Sequence, residues 1–268
     1  MKYVIDNDLH IHSKLSSCSR DPEQTTERIL RYAEENNLKT ICVTDNFWDD
    51  TTGEAEDKWY RPQNFEHISK SKPLPQSDKV RFLFGCETEL DRNLKVAISK
   101  EHFDAFDFII IPTTHFHMVG YTLSVEETAD AKSRADAWVR RFDAVLKMDL
   151  PFRKIGLAHL TCGLIAPTRE ECIEVLKLLP ENEMERLFSK AAELGVGIEL
   201  NSDDMKFSED EADIVLRPYR IAKRCGCKFY CGSDVHYARS FAGVKAIFER
   251  AIDLLKLSES DKFIIGKN

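Results

Sequence analysis

Two histidines separated by one residue follow the first apolar run of the chain, in the stretch DLHIHSKLSSCSRD at residues 8–21. Side chains two positions apart on an extended strand point to the same side, so His10 and His12 can hold one metal ion between them. A single His-X-His pair is more often coincidence than a site. The pair therefore gains meaning only if other metal-binding side chains occur at corresponding places in the chain.

Polar residues of the same kind follow six further apolar runs, in the motifs VTDN, GCETEL, PTTHFHM, LAHLT, IELNSDD and CGSDVHYA. Six of the eight histidines lie in these motifs or in the first one, whereas His67 and His102 are predicted to be solvated. Buried structural histidines would need a polar partner for each ring, so the joint placement favours a metal centre. Imidazole and carboxylate ligands suit zinc, iron or manganese, and the scarcity of thiolates argues against a closed structural site.

The segments that position these motifs alternate between β-rich and helical sequence. Seven strands are predicted, at residues 3–9, 40–44, 80–86, 106–112, 154–158, 196–200 and 228–232. Helical stretches are predicted at residues 22–37, 126–148, 168–179, 183–195, 210–225 and 241–257. Nearly continuous apolar strands, each followed by a helix, indicate a parallel sheet covered by helices. No linker rich in Gly, Ser or Pro interrupts the pattern, so one domain over residues 1–268 is expected.

This alternation fits either a closed barrel or an open doubly wound sheet. In a barrel, functional groups lie at the carboxyl ends of several different strands and face one mouth. The polar motifs follow that arrangement, so the pattern favours the barrel.

In their order and separation, DLHIHS, TDN, GCETE, TTHFH, LAHL and GSDVH resemble the motifs of the PHP (polymerase and histidinol phosphatase) superfamily of metal-dependent phosphoesterases. The resemblance extends over residues 8–236. It implies a distorted seven-stranded (β/α) TIM-like barrel of the PHP type, with two to three divalent metal ions (Zn, Fe or Mn). It distributes the ligands as follows: His10, His12, Glu87 and Asp234 at a first metal, Glu87 again with His115 and His159 at a second, and His236 at a third.

Two positions depart from the family pattern. Asn46 stands where a histidine is usual, and an amide is a poor ligand for a transition metal. Cys18 stands where many members have another histidine, and it could bind zinc as a thiolate. Arg20 could bind phosphate or pair with Asp21 at the surface, and we count it with Asn46 and His117 as a candidate substrate-binding residue. The sequence leaves open whether two metals or three are bound.

The resemblance also implies a reaction, the hydrolysis of a phosphate ester by a metal-activated hydroxide. The leaving oxygen needs a proton, for which His236 and His117 are the candidates, and Asp234 completes the predicted catalytic set. Because His117 lies two residues after His115, the two could exchange roles, and His115 is favoured as the ligand because it comes first after the strand. Orientation of the ligand imidazoles is expected from Asp8, Glu199 and Asn201.

Within the family the chain most resembles the histidinol-phosphatase-like branch. This implies a small phosphorylated metabolite such as histidinol phosphate as substrate and inorganic phosphate as product. The long segment 47–79 is either a lid carrying Trp48, Trp59 and Tyr60 or an ordinary connection. Other functions considered are a non-catalytic metal-binding module, a nuclease, and an amidohydrolase-type barrel, which usually has a lysine that the fourth motif lacks.

The composition of the chain limits the kinds of partner and cellular location that are expected. A formal net charge of -8 provides no basic field for nucleic-acid phosphates. No apolar run approaches the roughly 20 residues of a membrane span, and the N-terminal residues lack the pattern of a secretory signal, so a cytoplasmic location is expected. The eight cysteines are expected to be reduced, and Cys225, Cys227 and Cys231 lack the paired spacing of a zinc ribbon.

Overall fold

The computed structural model describes residues 1–267 and contains eight parallel strands. Their bounds are β1 Asn7–Ile11, β2 Thr40–Val43, β3 Asn46–Phe47, β4 Arg81–Thr88, β5 Phe108–Pro112, β6 Ile155–Ala158, β7 Gly197–Asn201 and β8 Lys228–Gly232. Seven of them are parallel neighbours in the order β1-β2-β4-β5-β6-β7-β8, and the two-residue β3 pairs with β4 beside this path. The predicted seven-stranded parallel barrel is confirmed, with one additional short strand.

The barrel is nearly closed between β1 and the segment that follows β8. The Asp234 N–H donates to the His10 carbonyl over 2.7 Å, and the His12 N–H donates to the Val235 carbonyl over 3.2 Å. Ile11 and Val235 form a parallel bridge between the same two segments. Closure therefore brings the first and last polar motifs of the sequence together.

Alternation along the strands gives the barrel an apolar floor and a polar mouth. Leu83 belongs to a buried cluster contributed by strands around the barrel, and Glu87 lies four residues further along the same face of β4. The members of that cluster are Leu9, Cys42, Leu83, Phe108, Ile110, Ala158, Tyr230 and Phe263. Because parallel strands end at the same edge, the polar side chains meet above this packed floor.

The helices are α1 Thr26–Glu35, α2 Phe65–Ile68, α3 Ala131–Leu146, α4 Arg169–Leu178, α5 Glu181–Leu194, α6 Ala212–Val215, α7 Arg217–Arg224 and α8 Val244–Leu255. Thr25 caps α1 by accepting a hydrogen bond from the Arg28 N–H over 3.2 Å. The helix predicted at 210–225 is divided into α6 and α7 because Pro218 lies in the first turn of α7, where its missing N–H is tolerated.

The predicted first strand is displaced. It was expected at residues 3–9, but β1 begins at Asn7, and Tyr3 instead donates its hydroxyl to the Phe229 carbonyl over 2.8 Å. As a result, His10 lies within the strand rather than after it. No helix within residues 1–267 combines the length and apolar composition needed to cross a bilayer.

Candidate metal centre

Four imidazoles surround the carboxylate of Glu87, which lies near the carboxyl end of β4. The nitrogen to oxygen distances are 3.0 Å for His159, 3.4 Å for His12, 3.6 Å for His10 and 3.8 Å for His115. All five residues are buried. The ligands that the resemblance assigned to the first two metals are thus brought together from β1, β4 and the ends of β5 and β6.

Asp234, just after β8, provides a second carboxylate at this centre. Its Oδ1 lies 3.1 Å from Nε2 of His12 and 3.4 Å from Nε2 of His10, and its Oδ2 lies 3.8 Å from Nδ1 of His159. Asp234 and His159 both have left-handed backbone conformations, with φ of 54° and 62°. Such conformations are uncommon outside glycine and concentrate where function requires a particular side-chain direction.

The hydrogen bonds of His10 and His12 determine which ring nitrogens carry protons. Nδ1 of His10 donates to Glu199 over 2.6 Å. Nδ1 of His12 donates to the Ser16 hydroxyl over 2.8 Å, because that hydroxyl uses its own hydrogen on Asp45. When these two rings are neutral, both Nε2 atoms therefore keep a lone pair, and they lie only 3.2 Å apart.

Two facing lone pairs beside two carboxylates need a cation among them. Protons or a divalent metal can meet this need, and the nitrogen and oxygen donors of His10, His12, Glu87 and Asp234 suit Zn²⁺, Fe²⁺ or Mn²⁺. This donor set fits the metals that the sequence motifs imply.

The pKa shifts of these groups also show that positive charge is stabilised next to the two carboxylates. Burial alone would lower the pKa of His10, but the carboxylates of Asp234, Glu199 and Glu87 outweigh it and raise that pKa well above its usual value. Burial would likewise raise the pKa of Glu87, yet the neighbouring imidazoles hold it well below its usual range. The two carboxylates and their imidazoles therefore stabilise each other in charged form.

Glu199 orients the centre from β7. Its Oε1 accepts from His10, and its Oε2 accepts from the His159 N–H over 3.1 Å and from the Asn201 amide over 3.1 Å. A side chain at Gly232 would clash with Glu199, since its Cβ would lie 2.0 Å from Oε1. The glycine therefore leaves the room that the Glu199 to His10 hydrogen bond occupies.

The predicted role of Asp8 is wrong in detail. Asp8 contacts no imidazole among the described residues, and it accepts from the Ser233 N–H over 2.9 Å and the Tyr32 hydroxyl over 3.0 Å. It therefore fixes the backbone between β1 and β8 rather than a ring. The solvated interpretation of His102 and His67 is also wrong, since His102 binds Asp49 over 2.8 Å and His67 binds the Leu15 carbonyl over 2.8 Å.

Sequence reasoning missed two residues that support His115. Nδ1 of His115 donates to Glu89 over 2.7 Å, and the buried Tyr60 hydroxyl donates to the same carboxylate oxygen over 2.8 Å. The available signal was the second glutamate of GCETE, which lies two residues after Glu87 and so on the same side of an extended chain. The segment 47–79 thus supports the centre through Tyr60.

Cys18 and Asn46 form a hydrogen-bonded chain to the centre. The Cys18 thiol donates to Oδ1 of Asn46 over 2.9 Å, and the Asn46 amide donates to Oε2 of Glu87 over 2.8 Å. Cys18 also lies with His12 and His236 in a group of side chains close enough to bind one ion. Burial would raise the pKa of the Cys18 thiol, but His12 and His236 lower it to about 7.

A cavity of about 890 Å³ opens onto Glu87 and Asp234. Arg20 lines it, is exposed, and forms no ion pair within residues 1–267, so the predicted alternative of a pair with Asp21 is not realised there. His117 is exposed, with its ring 5.5 Å from that of the buried His115. The remaining wall includes Cys18, Asn46, Trp59, Met118, Cys162, Leu164, His236 and Tyr237.

Comparisons with known proteins bear on the fold. No protein-family model matches the sequence, and no curated protein matches it significantly. Among solved structures, the chain is similar to histidinol phosphate phosphatase from Lactococcus lactis subsp. lactis Il1403 in complex with zinc, L-histidinol and phosphate. The TM-score is 0.58 and the sequence identity 16%, over 92% of this chain and 93% of the other.

A protein from Listeria monocytogenes, assigned provisionally as a histidinol phosphatase, is also similar. The TM-score is 0.61 and the sequence identity 13%, over 88% of this chain and 97% of the other. These similarities cover nearly whole chains and concern the arrangement of strands and helices. The fold expected from the motifs is therefore confirmed, and this chain shares with both proteins a nearly closed parallel (β/α) barrel.

Proposed function

We propose that this protein hydrolyses the phosphate monoester of a small metabolite, with divalent metals held around Glu87. The observation that carries the proposal is the convergence of four imidazoles and two carboxylates on one point at the mouth of the barrel, with the Nε2 atoms of His10 and His12 only 3.2 Å apart. A structural histidine cluster would pair each neutral ring with a hydrogen-bond donor. Here the two Nε2 atoms face each other and two carboxylates, so they can be satisfied only by protons or by a metal cation.

The residues present would hold two metals. His10, His12 and Asp234 would bind the first, His115 and His159 the second, and Glu87 would bridge them. Metals bound there supply Lewis acidity that activates a water molecule and offsets the charge of a phosphate group. The protein keeps the ligands in place through Glu199 and Glu89, which accept from Nδ1 of His10 and of His115.

The cavity next to this centre favours a small substrate. Its volume of about 890 Å³ is within the range of small-molecule sites. Arg20 provides a fixed positive charge for phosphate, and Trp59, Met118 and Leu164 provide apolar wall for the organic part. Histidinol phosphate is the first substrate to test, because a similar fold is known in complex with L-histidinol and phosphate.

His236 is the proposed proton donor to the leaving oxygen. Its Nδ1 donates to the Asp234 carbonyl over 2.7 Å, so Nε2 is the atom left to act in the cavity, beside the Cys18 thiol. We expect His236→Asn to lower kcat for an alkyl phosphate by about a hundredfold or more, the usual range for general acid catalysis. An aryl phosphate such as p-nitrophenyl phosphate should lose much less, since its leaving group departs without a proton. Initial rates on both substrates measure this difference.

His117→Asn is the matched control for that experiment. His117 lies at the rim of the same cavity and is the other candidate acid. If His117→Asn shows the leaving-group-dependent loss and His236→Asn does not, the assignment of the proton donor is reversed.

We expect two tightly bound metals per chain. Asn46 donates to Glu87 and accepts from Cys18, so the hydrogen bonds of a neutral amide replace an imidazole ligand next to the centre. Elemental mass spectrometry of untagged, desalted protein should give two equivalents, and Asn46→His should raise the value towards three. Three equivalents that the unchanged protein retains after desalting, when no excess cation remains in solution, would contradict this expectation.

A phosphate-release screen of the metal-reconstituted protein tests the proposed function itself. The panel contains histidinol phosphate, other alkyl monoesters, and bis(p-nitrophenyl) phosphate as a diester. Turnover of monoesters well above the diester is expected. Preference for the diester would indicate a nuclease-like activity, and metal binding without turnover of any ester would indicate a non-catalytic module.

A further inference from the structure

A second cluster of potential ligands lies beside the metal centre. A ring nitrogen of His159, the sulfur of Cys162 and a carboxylate oxygen of Asp204 all lie within 4.8 Å of one another. The three residues are nearly fully buried, with 4%, 4% and 1% of their surfaces exposed. None of the sequence motifs assigned Cys162 or Asp204 to a metal.

Only one of the two carboxylate oxygens of Asp204 accepts hydrogen bonds from its neighbours. Its Oδ2 accepts from the Thr161 N–H over 2.9 Å and from the Tyr219 hydroxyl over 2.7 Å. Its Oδ1 is buried and has no hydrogen-bond partner among the described residues. An unpartnered carboxylate oxygen in the interior is costly, and a cation is one of the few partners that would offset the cost.

The Cys162 thiol is also available. The Thr114 hydroxyl lies 3.8 Å from the sulfur, and that hydroxyl already donates to the His159 carbonyl over 2.5 Å. Cys162 forms part of the wall of the main cavity, so a cation can reach it from solvent. One thiolate, one imidazole and one carboxylate form a donor set that suits zinc and related soft divalent cations.

We propose that His159, Cys162 and Asp204 form an additional binding site for a thiophilic divalent cation of the Zn²⁺ class. The three ligands would leave a fourth tetrahedral position for water. Binding requires the thiol to lose its proton to solvent as the metal to sulfur bond forms. Where one nitrogen of His159 already holds the main centre, the ring also loses its remaining N–H proton to solvent as its other nitrogen binds, so the site fills less readily at low pH.

His159 belongs to both clusters, because its Nε2 also lies 3.0 Å from Glu87. The additional site is therefore expected to fill only after the main centre, when the cation exceeds two equivalents. This order of filling rests on the proposed two-metal centre. The existence of the additional site does not depend on that centre.

Cobalt titration of the metal-free protein tests the assignment, since thiolate ligation of Co²⁺ produces a charge-transfer band in the near ultraviolet. Cys18, the other thiol near the centre, is first removed as Cys18→Ser. In this background, the band is expected to rise once Co²⁺ exceeds two equivalents. It should vanish in the double variant Cys18→Ser/Cys162→Ser, and Asp204→Asn should shift the titration to about tenfold higher Co²⁺ or more.

Thermal melting establishes that each variant is folded. A second measurement needs no variant: in the unchanged protein already holding two equivalents, mapping of alkylated thiols should show that further Zn²⁺ slows the reaction of Cys162. A band that survives in the double variant, or one absent in the Cys18→Ser protein, overturns the proposal. So does alkylation of Cys162 at the same rate with and without Zn²⁺. Each readout reports ligation by Cys162 whether or not the protein hydrolyses phosphate esters.

Discussion

Replacing Asp234 by Asn is expected to lower kcat for phosphomonoester hydrolysis by about a thousandfold or more, since losing one group that stabilises transition-state charge already costs 10²–10³. Asp234 lies 3.1 Å from His12 and 3.4 Å from His10, where an amide cannot supply the negative charge that balances a divalent cation. The protein should still fold, because Asn tolerates the left-handed backbone at this position. Initial rates, metal content and thermal melting together measure the effect.

Asp49→Asn is the matched control. Asp49 is also buried and also contacts an imidazole, that of His102, over 2.8 Å, but it lies outside the cavity and the ligand groups. This variant should melt at a lower temperature, because Asp49 accepts several hydrogen bonds, while kcat changes less than about threefold. Equal losses of kcat in the two variants would show that Asp234 acts only through stability.

Removing the metals is expected to have the second large effect, on both thermal stability and activity. Ligand binding stabilises the folded state by about 4 kcal/mol when the free concentration is a thousandfold above Kd. For a domain of this size each kcal/mol moves Tm by about 2–4 °C, so a chelator is expected to lower Tm by about 8–16 °C. Hydrolysis should be lost at the same chelator concentration. Scanning calorimetry and rate measurements with and without chelator check both effects.

Two further measurements make this result specific. Adding back Zn²⁺ or Mn²⁺ should restore both Tm and activity, which excludes damage by the chelator. Glu87→Gln protein should show little change of Tm on chelation, because Glu87 contacts all four imidazoles of the centre. An unchanged Tm for metal-loaded protein after chelation would refute the metal centre.

The parallel barrel could be predicted from the sequence because its signals are periodic and local. Apolar strands such as FDFIIIP alternate with helical stretches, and a parallel strand pair requires a crossover between its members. The edge of the sheet at which the site residues lie could also be predicted, because the polar motifs follow the strands. Strand and helix ends depend on packing that the local pattern does not encode, as the displaced β1 and the divided helix at Pro218 illustrate.

The sequence by itself thus determined that His10, Glu87, His159 and Asp234 meet, because residues at the carboxyl ends of parallel strands share one edge regardless of loop conformation. Only the tertiary structure decided which neighbours these residues have. The Tyr60 to Glu89 hydrogen bond and the pairing of Asp204 with Tyr219 join segments whose approach depends on how long loops pack. No periodicity encodes such contacts. They arise because buried polar groups must find partners within reach, and the folded chain alone determines what lies within reach.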